Sequence, residues 1–152
     1  MEITIELKNL KELQAAFKKA PGIAIGEYAR ALDRSAKKIE ADAKHNAPVN
    51  KQSGGGNLRQ LISSRMEGTS KAIVEARASY AAYVDQGTRP HIISVVSKKV
   101  LANKRTGQVF GRVVHHPGTR AQPFFTDAVK GNEGFMNNEF STALNNILNS
   151  IH

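Results

Sequence analysis

The sequence predicts an α+β protein: an antiparallel sheet of about four to five strands, packed by one long amphipathic helix. Three patterns carry this prediction: an alternating N-terminal segment, a helical apolar spacing from Ile25 to Ala43, and later β-type segments in pairs. A long basic hairpin loop and a C-terminal helix complete the architecture. The 152 residues suit a single domain spanning 1–152.

The first half predicts a strand, two helices and a pair of strands. Residues 2–8 alternate apolar and polar side chains, as a half-buried strand does. Asn9 and Glu12 resemble a capping box, which predicts a short helix ended by Pro21 and Gly22. The long helix then ends near Asn46, because Pro48 disfavours helix at the residue before it. The apolar positions of that helix are Ile25, Tyr28, Leu32, Ala36, Ile39 and Ala43.

A glycine-rich loop, NKQSGGGN at 50–57, follows the long helix. It lacks the Lys-Ser/Thr pair and the preceding strand of a P-loop, so nucleotide binding is not expected. Strands are predicted at 58–66 and 71–78, the second with a face of small residues that lets the helix approach closely.

The second half predicts another strand pair and two helices. Strands are expected at 92–96 and 109–114, with a hairpin tip at 97–108 between them. The tip carries Lys98, Lys99, Lys104 and Arg105 and no acidic residue, so it either contacts a partner or stays solvated. A short helix is expected over Pro123–Lys130 and a last one from Met136 to Ile151.

The stretch YAAYVDQGTRPH, Tyr80 to His91, is the most patterned in the chain. Tyr80 and Tyr83 share one face of a helical turn, and Gly87 permits a positive φ where the chain reverses. Asp85 can cap the turn or accept a hydrogen bond from Thr88 or Arg89. Two interpretations stay open: tyrosines that pin a one-turn helix to the sheet, or an interface rich in tyrosine and arginine. A Gly-Thr-Arg echo recurs at 118–120.

No catalytic set or metal site is evident in the sequence. His115 and His116 would point to opposite faces of a strand, and a pairing of His91 with His115 across the hairpin lacks a third ligand. The chain has no cysteine. Asp85 and Asp127 are the only acids near the patterned loops, and no Ser-His-Asp arrangement occurs. We therefore expect no enzyme activity, no cofactor and no bound metal.

A net charge of +9 and a pI near 10.0 favour a polyanionic partner, either nucleic acid or an acidic protein surface. One alternative is therefore a basic DNA-binding protein that is not part of a virion, whose affinity falls steeply with salt. No apolar run approaches the roughly 18 residues of a membrane span, and the acidic, alternating N-terminus is unlike a signal peptide. We expect a soluble protein without membrane contact.

Three stretches, KHNAPVNKQSGGGNLRQLI, YAAYVDQGTRPH and HHPGTRAQPFFTDAV, resemble a known family in their order. They are similar to the small tail-component proteins of long-tailed double-stranded DNA bacteriophages, described as tail-completion or head–tail joining proteins of the neck. The resemblance covers nearly the whole chain. The extra residues 50–56 depart from the family's shorter first motif and leave the contacts of that loop open.

The resemblance implies a non-enzymatic structural protein of the virion, assembled in the host bacterial cytoplasm. Its copies would form a homo-oligomeric ring of about six subunits or a multiple, through head-to-tail interfaces that close. The implied partners are the head-closure or connector protein and the tail tube or tail terminator protein. Genomic DNA passing through the lumen could also meet part of the positive charge.

The predicted interface residues belong to three groups, each of which could instead serve only the fold of one subunit. They border the strand turn, form the basic hairpin tip, or set the junction into the next helix. The residues are Tyr80, Tyr83, Gly87, Thr88 and Arg89; Lys98, Lys99, Lys104 and Arg105; and Pro117, Gly118, Gln122, Pro123 and Phe124.

Overall fold

The computed structural model describes residues 1–6, 18, 21–49, 56–96, 100–103 and 106–150. The elements are β1 (Glu2–Glu6), α1 (Pro21–Asn46), α2 (Asn57–Gln60), β2 (Ile62–Glu67), β3 (Lys71–Ala76), α3 (Ala81–Gln86), β4 (His91–Ser94), β5 (Leu101–Ala102), β6 (Val109–Gly111), β7 (Val113–His116), α4 (Phe124–Gly131) and α5 (Glu133–Ser150). The short helix predicted after Asn9 and most of the glycine loop at 50–57 lie outside the described residues.

The chain forms two compact units, Met1–Ala81 with Pro123–His152, and Ala82–Gln122. The prediction of one domain over 1–152 stays a prediction. The α+β class is confirmed, with an antiparallel sheet and a C-terminal helix. Of the described helices, none has the length and apolar character needed to cross a membrane.

The sheet of the first unit has the strand order β1-β3-β2, with both pairs antiparallel. The central strand β3 is buried at three consecutive residues, Ala72, Ile73 and Val74. Burial on both faces is what a central strand needs, whereas β1 alternates between exposed and half-buried residues, as predicted. The small side chains of β3 on the helix side let α1 lie close to the sheet.

Helix α1 packs on this sheet through the predicted apolar stripe, and Leu32 and Ile39 are fully buried. It begins at Pro21, where we predicted a break, because proline lacks only an N–H that the first turn leaves unused. It ends at Asn46 as predicted. Arg59 caps that end by donating to Ala47 O at 3.1 Å and His45 O at 3.0 Å. The segment Asn57–Gln60 is helical, whereas a strand was predicted from residue 58, so the first three residues of the predicted strand 58–66 belong to α2.

Helix α5 docks against the first part of α1. Ile147 and Ala143 are buried beside Tyr28, and the rings of Tyr28 and Phe140 stack with centroids 6.1 Å apart. Burial raises the pKa of the Tyr28 hydroxyl. On the polar side, Asn146 donates to Glu27 at 2.9 Å. These contacts supply the docking that an asparagine-rich helix requires.

The prediction of about four to five strands in one sheet is wrong, because the sheet has three. The remaining strands lie in the second unit and pair with one another. Strand β4 is antiparallel to β7, and β5 is antiparallel to β6, so each pair is a two-stranded ribbon. Predicted strand 109–114 is divided into β6 and β7 around Arg112, which shifts the partner of β4 toward 113–116.

Candidate interaction surface

The two Gly-Thr-Arg segments of the second unit meet through their threonines. The Thr88 N–H donates to Thr119 O at 2.9 Å, and the Thr119 N–H donates to Thr88 O at 3.1 Å. Their hydroxyl oxygens lie 3.3 Å apart and form a third hydrogen bond. We call this paired structure, formed by 87–89 and 118–120, the clasp. The sequence echo is thus a pair of interacting segments.

The clasp requires a glycine before each threonine. Gly87 leaves room for the carbonyl of Thr119, and Gly118 leaves room for the carbonyl of Thr88. Gly87 has φ +74° and Gly118 has φ +88°, a region that side chains disfavour. A Cβ on Gly87 would lie 2.6 Å from Thr119 O, and one on Gly118 would lie 2.3 Å from Thr88 O. Both glycines therefore serve close backbone approach within one subunit, which supports the fold interpretation for these two positions.

The other predicted junction residues have different environments. The Gln122 N–H donates to Val84 O at 2.8 Å, which ties the end of the second unit to α3. Pro117 and Pro123 are exposed. Phe124 is buried in the first unit, where its ring meets that of Phe125 edge to face at 6.3 Å. Phe124 is therefore a core residue at the start of α4.

The two tyrosines of the patterned stretch are exposed. Tyr80 retains 44% of its surface and Tyr83 retains 64%. The exposure is in keeping with the interface interpretation, and both interpretations of these tyrosines stay predictions. Asp85, which was expected to cap the turn or to accept a hydrogen bond from Thr88 or Arg89, is buried.

An open groove of about 600 Å³ lies beside the clasp. Its lining includes the side chains of Tyr83, Gln86, Arg89 and His91. A phenol, an amide, a guanidinium and an imidazole here offer hydrogen bonds and stacking around an accessible surface. This composition is typical of protein interfaces, which are enriched in tyrosine and arginine.

The histidines pair differently from the prediction. His91 stacks on His116, with ring centroids 4.9 Å apart, whereas His115 lies opposite Ile92 in the strand register. His91 Nδ1 donates to Arg89 O at 2.9 Å, and His116 Nδ1 accepts the Gly118 N–H at 3.1 Å. In the part of the chain that the structure describes, no three histidine, aspartate or glutamate residues come together as a metal site.

The strands of the second unit, β4 to β7, expose an apolar surface that we call the arm surface. Ile92 is 62% exposed, Val109 61%, Val113 53% and Phe110 45%. A two-stranded ribbon has no second layer on at least one face, so these side chains remain in water. Several large apolar side chains left exposed within one small unit are typical of an interaction site.

The positive charge of the chain is concentrated in the second unit. Residues 82–122 hold seven Lys and Arg and one acid, Asp85, so they contribute +6 of the net +9.

The described arginines of the two units also differ. In the first unit each one forms an ion pair or a hydrogen bond: Arg30, Arg34, Arg59, Arg65 and Arg77. Within the described ranges the side chains of Arg89, Arg112 and Arg120 form none, and all three are exposed.

Sequence reasoning missed the exposed apolar residues of the arm surface and two of these arginines. Ile92 and Val113 looked like ordinary strand residues, because alternation predicts a strand but not what covers its faces. Arg120 had a signal in the Gly-Thr-Arg echo, whereas Arg112 had none. Lys98, Lys99, Lys104 and Arg105 lie outside the described residues, so their interface role stays a prediction.

A family model matches residues 11–87, half of the chain, and its description is "Bacteriophage HK97-gp10, putative tail-component". The matched range includes α1, the β2–β3 pair and α3, and it ends at Gly87 of the clasp. The motif around the second Gly-Thr-Arg lies beyond it. No curated protein and no solved structure matches the chain.

Proposed function

The chain belongs to the HK97-gp10-like family of bacteriophage tail components, and we propose that it forms a homo-oligomeric ring in the neck of the virion. The ring lies between the head connector and the tail tube and completes the site where head and tail join. Its copies contact one another head to tail. Such contacts close into a ring when the rotation from one subunit to the next is a whole-number fraction of a full turn. Assembly takes place in the host cytoplasm.

The arm surface is the observation that carries this proposal. A folded monomer leaves Ile92, Val109 and Val113 more than half exposed, which costs hydrophobic free energy that a partner can recover. The same unit exposes Arg89, Arg112 and Arg120, whose side chains form no ion pair or hydrogen bond within the described residues. An apolar centre with arginine near it is the usual composition of a protein interface.

The excess positive charge has two uses in such a ring. Basic side chains can face acidic surfaces of the connector or tail proteins, or they can face DNA as it passes through the lumen. Strong binding to phosphates would slow DNA passage, so most of the exposed arginines contact protein.

The ring acts as a structural component without catalysis. The second unit has one carboxylate, Asp85, whereas metal-dependent nucleases require several converging acids. Incubation of the purified protein with phage DNA and Mg²⁺ or Mn²⁺ should leave the DNA intact. Cleavage that disappears with EDTA would contradict this part of the proposal.

The +6 charge of the second unit favours one other candidate, a DNA-binding protein outside the virion. Exposed aliphatic side chains argue against it, because phosphate contacts come from basic and polar groups. This candidate predicts tight DNA binding that weakens steeply between low and physiological salt.

Deletion of the gene from the parent phage, followed by complementation, tests the proposed function. Electron microscopy should reveal filled heads and separate tails in the deletion lysate, and joined particles after complementation with the natural gene. Complementation with Ile92→Ser/Val113→Ser should fail, although the variant retains its helical circular dichroism. Ile23→Ser, at a 46% exposed site on α1, is the control and should restore joined particles. Intact particles from the deletion strain would overturn the proposal.

A further inference from the structure

We propose that neighbouring copies in the ring join by strand addition, with β4 of one copy lying along the free edge of β1 in the next. This inference rests on the proposed ring and specifies its interface. The occupant of the β1 edge is therefore a second copy of this chain. Strand addition supplies backbone hydrogen bonds, and the side chains of the two strands then fix the register.

Both strands have an unpaired edge among the described elements. Strand β1 pairs only with β3, and β4 pairs only with β7. Their lengths differ by one residue, with five residues in Glu2–Glu6 and four in His91–Ser94. Unpaired N–H and C=O groups along such edges are a template for another strand.

An open groove of about 560 Å³ follows the β1 edge. Ile3, Thr4, Ile5 and Glu6 all line it, although alternate residues of a strand point to opposite faces. Side chains from both faces of β1 can line the same groove only if the groove lies along the edge of the strand. Met136 of α5 also lines the groove and adds an apolar boundary. The groove is thus where an added strand would lie.

Strand β4 suits this groove in exposure and composition. All four of its residues are exposed, whereas β7 has two half-buried residues. Ile92 and Ile93 at its centre point to opposite faces of β4, so in either register one of them would share a face with Ile3 and Ile5, which are half-buried in β1. Apolar cross-strand pairs of this kind stabilise a sheet.

The charges of the two edges are complementary in sum. Strand β1 carries Glu2 and Glu6 and no basic side chain, and the one basic residue that lines the groove, Lys71 of β3, lies 3.8 Å from Glu6 and leaves the acids in excess. Strand β4 is preceded by Arg89 and begins with His91. The Val95 N–H, just after the strand, donates to the backbone carbonyl of Arg112 and places a third basic residue beside the strand end. Opposite charges near one another across strands favour pairing, and like charges on β1 disfavour pairing of two β1 strands.

Strand addition would join the two sheets across copies. Two strands from one copy, β7 and β4, would continue the three-stranded sheet β1-β3-β2 of the next copy.

Crosslinking in assembled particles tests the inference, and the natural chain has no cysteine to interfere. Phage carrying Thr4→Cys/Ile92→Cys, or Thr4→Cys/Ile93→Cys, are purified and treated with a short bismaleimide. Opposite Cβ atoms in paired strands are about 5 Å apart, so one of the two pairs should give a covalent ladder that ends at the closed ring. Thr4 is the central residue of β1, so it would lie near the centre of β4 whether the added strand runs parallel or antiparallel. The control Thr69→Cys/Ile92→Cys uses an exposed turn between β2 and β3 and should give no ladder.

The outcomes separate this inference from the proposed function. Absence of the natural protein from purified particles would overturn the ring itself. Natural protein in particles, with no ladder above the control from either pair, would overturn strand addition alone. If the cysteine variants are not incorporated, charge exchange decides: Glu6→Arg and Arg89→Glu should each lose plaque formation, and the double variant should regain it. Failure of the double variant would also overturn the inference.

Discussion

Thr88 and Thr119 donate to each other's carbonyl oxygens, although 31 residues separate them in the chain. The pairing brings together the two Gly-Thr-Arg segments, one near each end of the second unit's sequence. It depends on Gly87 and Gly118, since each lies against the carbonyl of the opposite threonine. A motif that resembles a binding signature in the sequence therefore has a backbone role in the structure.

Replacement of Gly118 by alanine should open the clasp. The left-handed backbone alone costs about 1–2 kcal/mol with a side chain, and the new Cβ would also lie 2.3 Å from Thr88 O. The amides of Thr88 and Thr119 should then lose protection in hydrogen exchange followed by NMR. Gly107→Ala is the matched control, because Gly107 has φ +69° and open space around it. Equal loss of protection in both variants would contradict the close-approach argument.

Truncation of Ile147 should undock α5 from α1. The side chain is fully buried beside Ala24, Tyr28 and Ala31, so Ile147→Ala should lower the free energy of unfolding by about 2–5 kcal/mol. Leu144→Ala, three residues earlier on the same helix and 37% exposed, should cost about 1 kcal/mol or less. Urea denaturation measures both variants. Similar losses would mean that α5 does not depend on its buried stripe.

The buried amide of Asn132 should stabilise the junction of three helices. Its Nδ2 donates to Ala128 O and to Asp42 Oδ2, both at 2.7 Å, which joins α1 to the turn between α4 and α5. Asn132→Ala leaves these acceptors without that donor and should cost about 1–3 kcal/mol. Asn138→Ala, at an exposed position of α5, should change thermal stability little. An unchanged melting temperature for Asn132→Ala would contradict the prediction.

Stability should fall at acid pH through Glu40. Burial pushes the pKa of the Glu40 carboxyl upward, but hydrogen bonds from Lys44 and Ser64 outweigh it and hold the pKa below its ordinary value of 4.5. A lowered folded-state pKa gives stability that is present above pH 4.5 and is lost as pH falls through the folded value.

Glu40→Gln should reduce that acid dependence. Urea midpoints measured between neutral and acid pH should fall less steeply in this variant than in the natural protein. Asp33→Asn, which removes an exposed pair with Lys37 on the same helix, is the control and should keep the natural slope. A slope in Glu40→Gln equal to that of the control would show that other carboxylates dominate.

Local pattern was sufficient for the elements whose own side chains decide their environment. The spacing from Ile25 to Ala43 predicted α1, and Pro48 predicted its end, because amphipathic periodicity and proline geometry act within the helix. The alternation of β1 and the apolar stripe of α5 were readable for the same reason. The start of the predicted strand 58–66 was wrong, because residues 58–60 are helical, and Arg59 there donates to the carbonyls of His45 and Ala47, contacts that the local pattern does not reveal.

The sequence by itself determined the α+β class, the long helix, the positive charge and the three motifs that resemble phage tail components. Only the tertiary structure decided that β4 pairs with β7 apart from the three-stranded sheet, that Thr88 meets Thr119, and that Tyr83 and Ile92 remain exposed. The physical reason is that strand pairing and burial depend on residues far apart in the chain. A strand's sequence fixes which faces are apolar, but the fold decides whether anything covers them.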